Sequence, residues 1–470
     1  MYQEKINAYF DAPETRETLV NAISRLVGVK SVKGEAQPGQ PFGPGPATAL
    51  AEGLKLAQEW GFSTENVENY VGTADLNSQE TRLHILGHLD VVGEGTGWST
   101  DPYTCVEKDG MLYGRGVSDD KGPVVCALLA MKAIKDLGLP VSANAKLIMG
   151  TDEESGSSDI AYYYSKHPYA PYAFTPDADF PVINIEKGHY HPDFGRSWEA
   201  ESALPRVCSL TGGFRNNVVP PEAQCVVAGL TAQQVERDAE IVTNQTHTPF
   251  LLIDEEDGLH IQCAGKNAHA ASPDGGINAI CALLTLLARL PLAECESTKA
   301  IQSLRTLFPF GDTRGAALGI AQSDEESGAL TLNFALLTFT DTGFTGKFDV
   351  RFPLCANEGN CKNACEERFA QHGIAVTGDG EMTTVHCVPA DSPLVQTLLR
   401  CYETYTGTTN AKPLAIGGGT YVHDIPGGVA CGCQFPGFDP KMHAPDEQAS
   451  VELLLTSCKI FTQAIVELCQ

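Results

Sequence analysis

Apolar positions recur with two different periods along the first third of the chain. The run RLHILGHL, Arg82 to Leu89, reads as an apolar strand, and GPVVCALLAMKAIKDLG carries helical spacing from a proline near its start to a stop at Gly138. NAKLIMG, from Asn144, is the next strand. Strands alternating with helices predict an α/β fold with a mostly parallel sheet covered on both faces, in which ligands collect beyond the carboxyl ends of the strands.

From about Gly188 the rhythm changes. ALTLNFALLTFT and GKFDVRFPL alternate in strand fashion around the turn DTGF, and the helical stretch GGINAICALLTLLARL stands between strand-like segments. That mixture predicts a separate α+β domain. After about Met382 the helical patterns SPLVQTLLRCYETYTG and ASVELLLTSCKIFTQAIVELC suggest a return to the first domain. The expected organisation is a catalytic domain over 1–187 and 382–470, interrupted by an inserted lid domain over 188–381.

Composition narrows the picture. A chain of 470 residues exceeds what one core organises, and 43% hydrophobic with 19% charged residues is the balance of a folded protein. The formal net charge of -27, without clustered Lys and Arg, argues against nucleic acid as a partner. The opening MYQEKINAYFDAPETRETLV has no continuous apolar core, which argues against a signal peptide or anchor, and no later run suits a membrane span, so a cytoplasmic protein is expected. The 16 cysteines then read as reduced, mostly buried thiols. Neither the group Cys355, Cys361 and Cys365 nor the pair Cys431 and Cys433 has the doubled spacing of a structural zinc site.

Candidate chemistry clusters at the predicted strand ends. In GHLDVV, His88 and Asp90 are two apart on a strand and share a side, so the carboxylate can fix the tautomer of a metal-ligating imidazole, although such a pair is also common in ordinary cores. GRGVSDDKGP places Asp119 and Asp120 between a strand and a helix start. TDEESG follows a strand with Asp152, Glu153 and Glu154, three acids that repel one another unless a cation neutralises them. TPDADFP adds Asp177 and Asp179, and MHAPDE adds His443. Carboxylate oxygens mixed with imidazole nitrogens suit zinc, manganese or cobalt better than calcium or copper.

These five motifs, in this order and over nearly the whole chain, resemble the di-zinc metallopeptidase family of carnosinases, aminoacylases and carboxypeptidase G, and within it the bacterial Xaa-His or β-alanyl dipeptidases. The resemblance implies two zinc ions. His88 and Asp177 would hold one, Glu154 and His443 the other, and Asp119 would bridge them at a separation of about 3.5–4 Å. Asp90 would orient His88, and Glu153 would be the general base for a water held between the metals. A carboxylate already bound to a cation is a poor base, which is why neighbouring glutamates divide the two tasks.

The inserted domain contributes candidates of its own. The resemblance makes His269 in AGKNAHAASPDGG a donor to the oxyanion formed at the scissile carbonyl. Asn217 in GGFRNNVVPPEA has an amide able to reach a substrate oxygen, or to cap a turn. Arg351 in DVRFP can grip a substrate carboxylate by two points or pair with a neighbouring acid, and Gly418 and Gly419 offer main-chain amides to the same carboxylate. A long insertion in place of a partner's contribution implies a monomer that takes a small peptide as substrate. The expected activity is a metal-dependent dipeptidase acting on substrates with a free C-terminal carboxylate. An aminoacylase or deacetylase of N-acyl amino acids is the alternative enzyme, and an inactive metal-bound binding protein the alternative of another kind.

Overall fold

The computed structural model describes residues 2–378 and 380–470. It divides into two compact units: Met1–Ile185, His386–Leu414 and Gly419–Gln470 form one, Glu186–Val385 and Ala415–Gly418 the other. Each has its own apolar core.

The sheet of the first unit has a parallel centre, with Asn144–Gly150, Thr81–His88, Tyr172–Thr175 and Gly428–Ala430 side by side in that order. Its flanks are antiparallel, where Val71–Asp75 pairs with Asn144–Gly150 and Ile183–Glu186 meets Gly428–Ala430. The register pairs His88 with Gly150, so the histidine and the acidic turn that follows Gly150 leave the sheet at the same carboxyl edge. Helices Lys121–Leu137 and Val451–Leu468 bury Val125, Leu128, Phe461 and Ile465 in the core shared with Leu83, Ile85 and Phe174. The first helix stops because Gly138 turns left-handed at φ 58 and returns its N–H to the carbonyls of Ile134 and Lys135. The second starts at Ser450, whose side chain accepts the Leu453 N–H.

The sheet of the second unit is antiparallel throughout its paired strands. Its main hairpin pairs Thr331–Thr340 with Gly343–Phe352 and closes at Thr340 and Gly343. Alternation along these strands sends Phe334 and Phe348 inward, where they pack with Phe194, Phe308 and Phe369; Phe308 and Phe334 stack at 4.3 Å. Helix Ala279–Leu287 covers the sheet with a face of leucines, capped by Asn278 on the Cys281 N–H.

The stretch 382–470 is not a single return to the first unit, since residues 382–385 stay with the second. Residues Ala415–Gly418 group with the second unit, because the Lys187 N–H donates to the Ile416 carbonyl at 2.9 Å and Gly417 lies against Arg351 and Ala271. A side chain at Gly417 would begin 2.9 Å from the Ala271 Cβ, so the close approach requires glycine. Gly418 and Gly419, expected to act together, fall in different units. The cysteines are free thiols, buried except for Cys105, Cys208, Cys355 and Cys387. Among the described residues no helix is long and apolar enough to cross a membrane.

Candidate metal centre

Five segments of the first unit converge beyond the strand ends. His88 closes its strand fully buried, with its Nδ1 3.0 Å from the main-chain carbonyl of Asp90. A carbonyl only accepts, so Nδ1 donates to it and Nε2 faces outward. Nε2 lies 3.1 Å from Asp119 Oδ1 and 3.5 Å from Asp177 Oδ2, and in the metal-free protein it carries a proton toward them. The other oxygen of Asp119 lies 2.8 Å from Nε2 of His443, which is itself 3.3 Å from Glu154 Oε2. Asp119 therefore offers one oxygen to each imidazole, the geometry of a bridging carboxylate.

The donor atoms fall into two groups, His88 with Glu153 and Asp177, and Asp119 with Glu154 and His443, each within 4.8 Å. Two like charges about 4 Å apart repel by roughly 4 kcal/mol at an effective dielectric constant of ~20, so four carboxylates in this space need protons or cations. In the metal-free protein protons take that part. Burial alone would lower the His88 pKa, yet its contacts with Asp119, Asp177 and Asp90 raise it well above the ordinary range. Asp119 and Glu154 likewise overcome the desolvation of His443 and raise it. Burial pushes Glu153 well up, opposed by His88 and reinforced by Asp177, Glu154 and Asp119. Glu154 Oε1 is buried with no hydrogen-bond partner. An acceptor left unmatched among converging carboxylates and imidazoles fits a divalent cation of the zinc, manganese or cobalt type.

Asp90 does more than orient His88. Its carbonyl lies 3.0 Å and its carboxylate 3.4 Å from His88 Nδ1, and the carboxylate also accepts the main-chain N–H groups of Glu153 at 3.2 Å and Glu154 at 3.1 Å. It thus fixes the acidic turn as well as the histidine. Asp152, the first of the three acids, turns away to pair with Lys33 Nζ at 2.6 Å and to accept from Ser158. The glutamates that remain carry the unbalanced charge.

Several supporting residues escaped the sequence reading. Asp159 accepts the N–H groups of Thr151 and Asp152 at 2.5 and 2.9 Å and the Tyr421 hydroxyl at 2.6 Å, while the Tyr421 ring stands edge-on to His88. Glu447 is buried against Arg115. The motif MHAPDE contained Glu447, but an acid beside an obvious histidine ligand carries no mark of its own role.

The remaining candidates gather in the second unit. Asn217 and His269 sit on adjacent, antiparallel segments, with the Ala270 N–H donating to the Asn217 carbonyl at 2.9 Å, and both are exposed. Arg351 departs from the picture of a free two-point fork. Its Nε and Nη2 bind Asp349 at 2.6 and 2.7 Å, and its Nη1 donates to the Gly417 carbonyl at 3.0 Å and to His189 Nε2 at 2.7 Å. A guanidinium has five N–H groups, so a single one, on Nη2, is left to offer. The reading that paired Arg351 with a neighbouring acid describes this arrangement.

With this geometry in place, the relatives can be compared. Residues 84–467 match the description Peptidase family M20/M25/M40. The chain belongs to that peptidase family. It is 34% identical over 459 residues to the putative dipeptidase YtjP of Bacillus subtilis (strain 168), covering 96% of this chain and 97% of that one. It is 29% identical over 463 residues to the Beta-Ala-Xaa dipeptidase of Lactobacillus delbrueckii subsp. lactis, covering 97% of each. Human carnosine dipeptidase 1 shares the fold at a TM-score of 0.58 and 18% identity, over 100% of this chain and 99% of that one. The chain is thus a metallopeptidase of mixed α/β fold.

Proposed function

We propose that this M20-family chain is a dipeptidase, hydrolysing the single peptide bond of substrates with a free C-terminal carboxylate. The observation that carries it is Asp119, whose two oxygens face His88 and His443 from within a cluster of four carboxylates. His88 and Asp177 would hold one cation, Glu154 and His443 a second, with Asp119 between them, and zinc suits the donor set. Bound there, the pair would polarise the scissile carbonyl and acidify the attacking water.

The chain's own groups do the rest. Glu153, with its main chain fixed by Asp90, takes the proton of the attacking water and passes it to the leaving nitrogen. Burial raises its basicity for that task. His269 and Asn217 donate to the carbonyl oxygen as it gains charge, which places their contribution in the transition state. The free N–H of Arg351, with the main-chain amides at Gly418 and Gly419, binds the terminal carboxylate. Because Asp349, His189 and Gly417 hold the rest of the guanidinium, Arg351 acts as one rigid donor. The chain works as a monomer, and its free thiols are in keeping with a cytoplasmic setting.

Purified enzyme tested on β-alanyl-histidine, α-dipeptides, tripeptides, C-terminally amidated dipeptides and N-acetyl amino acids decides the substrate class. Free dipeptides should be cleaved fastest. Faster turnover of N-acetyl amino acids would replace the proposal with an aminoacylase, and no hydrolysis by metal-loaded protein would favour a binding protein. Mixing His269→Ala with Glu153→Gln should leave both inactive, whereas recovered activity would mean that the histidine serves a partner subunit.

A further inference from the structure

The loops that carry Asp119 and His443 are more than 300 positions apart in sequence, and one side chain fastens them together. Glu447, four residues after His443, is fully buried. Its Oε1 accepts the main-chain N–H groups of Gly116, Ser118 and Asp119 at 3.1, 3.0 and 3.2 Å. Its Oε2 accepts from Nη1 of Arg115 at 2.7 Å, and its own carbonyl accepts the Gly114 N–H at 3.1 Å. Arg115 is itself buried, with its guanidinium over the Trp98 ring at 5.1 Å. Gly116, at φ 91, gives the loop the left-handed step that curls its N–H groups inward.

We infer that Glu447 is a positioning residue, setting Asp119 and His443 in the register that two cations require. The inference rests on the proposed reading of Asp119, Glu154 and His443 as metal ligands. Ligand atoms must lie within a few tenths of an ångström of their coordination distances. The strand Gln448–Ser450 pairs with Met111–Tyr113 and brings the two loops together, and the Glu447 side chain then reaches the main chain of Asp119 itself. A carboxylate that accepts three N–H groups and a guanidinium has one orientation, and transmits it to both loops. Unlike a core residue, its removal should cost metal affinity ahead of stability.

The test compares Glu447→Gln, Arg115→Lys and His443→Ala with the wild type. Bound metal per chain, affinity by chelator competition, the visible spectrum of the cobalt-loaded protein, kcat and KM, and the Tm of the metal-free protein are measured. In Glu447→Gln the new amide turns one donor toward another at Arg115. One of two metal equivalents should weaken by about 10- to 100-fold, the typical cost of losing a partner behind a metal ligand. The other equivalent should be kept, kcat should fall with KM little changed, and excess metal should restore kcat. His443→Ala should weaken the same equivalent. Wild-type affinity for both equivalents in Glu447→Gln, with only the Tm lowered, would overturn the inference and leave Glu447 a structural residue. Retention of both metals by His443→Ala would instead overturn the ligand assignment. If Glu447→Gln does not fold, Arg115→Lys decides: it keeps the three N–H contacts and removes the planar guanidinium, and unchanged affinities in it would equally refute positioning.

Discussion

Around His88 four carboxylates face two imidazoles, and among the described residues their ion pairs are with those imidazoles, whereas Asp349 in the second unit is met by the guanidinium of Arg351 and, at 3.2 Å, by His191. His88, Asp119 and Asp349 are buried, so desolvation acts on both groups. The second closes its charges internally and becomes a rigid support; the first leaves them open and becomes a site. A nearby cation inside the first group would have made it another support. Open charge balance in a buried cluster therefore separates chemistry from scaffolding here better than burial or residue type does.

The sharpest way to break the comparison is Glu153→Gln, which removes one acid from the open cluster while leaving Asp119, Asp177, Glu154 and both histidines. Metal content should persist while kcat falls by about 10²–10⁴-fold, the usual contribution of a general base. Loss of a metal equivalent would instead make Glu153 a ligand, in line with its place among the donor atoms of the His88 group.

In the closed group, Arg351→Met should destabilise the protein by up to about 3–5 kcal/mol, because Asp349 would be left buried with only His191 beside it. The double variant Arg351→Met with Asp349→Leu should recover much of that loss in denaturant unfolding, and both should bind metal normally. The pH dependence of the same group is smaller. Burial would raise Asp349, but His191 and Arg351 outweigh it and hold it at about 2, below its unfolded value near 4. A depressed carboxylate stabilises above its unfolded pKa and loses that contribution as pH falls through the folded one, so on the order of 2 kcal/mol should disappear between about pH 4 and pH 2. Asp349→Asn should flatten that limb of the stability curve, and an unchanged limb would remove the pair from the account of acid unfolding.

Protons give the weakest and most specific signal. With His88, His443 and Glu153 shifted upward in the metal-free protein, loading with zinc near pH 7 should release protons. Calorimetry in two buffers of different ionisation enthalpy reads this directly, and identical heats would mean that the cluster is already deprotonated. Asp349→Asn should leave this release unchanged.

Much of both units was legible in the chain. The strand ending at His88, the helix stopping at Gly138 and the hairpin around Thr340 and Gly343 follow from local periodicity and turn chemistry, which neighbours in sequence set. The ligand residues were legible because acids and histidines at apolar strand ends conflict with burial and stand out. The partner of Arg351 was harder to read. Asp349 lies two residues away and was open to pairing, yet whether a strand guanidinium turns to its neighbour or to a ligand depends on Gly417 and His189, which come from elsewhere in the unit.

What the sequence determined by itself was the list of groups able to bind a cation and the elements that carry them, because hydrophobic period and side-chain chemistry are properties of short stretches. The tertiary structure alone decided how those groups are shared out: that Asp152 is neutralised by Lys33, that the Asp90 carboxylate holds the acidic turn, and that Glu447 reaches back to the loop of Asp119. Each of these is a contact between segments far apart in the chain. A carboxylate's role is set by which charge or N–H lies within about 3 Å of it, and that distance exists only once the sheet has brought its strand ends to a common edge.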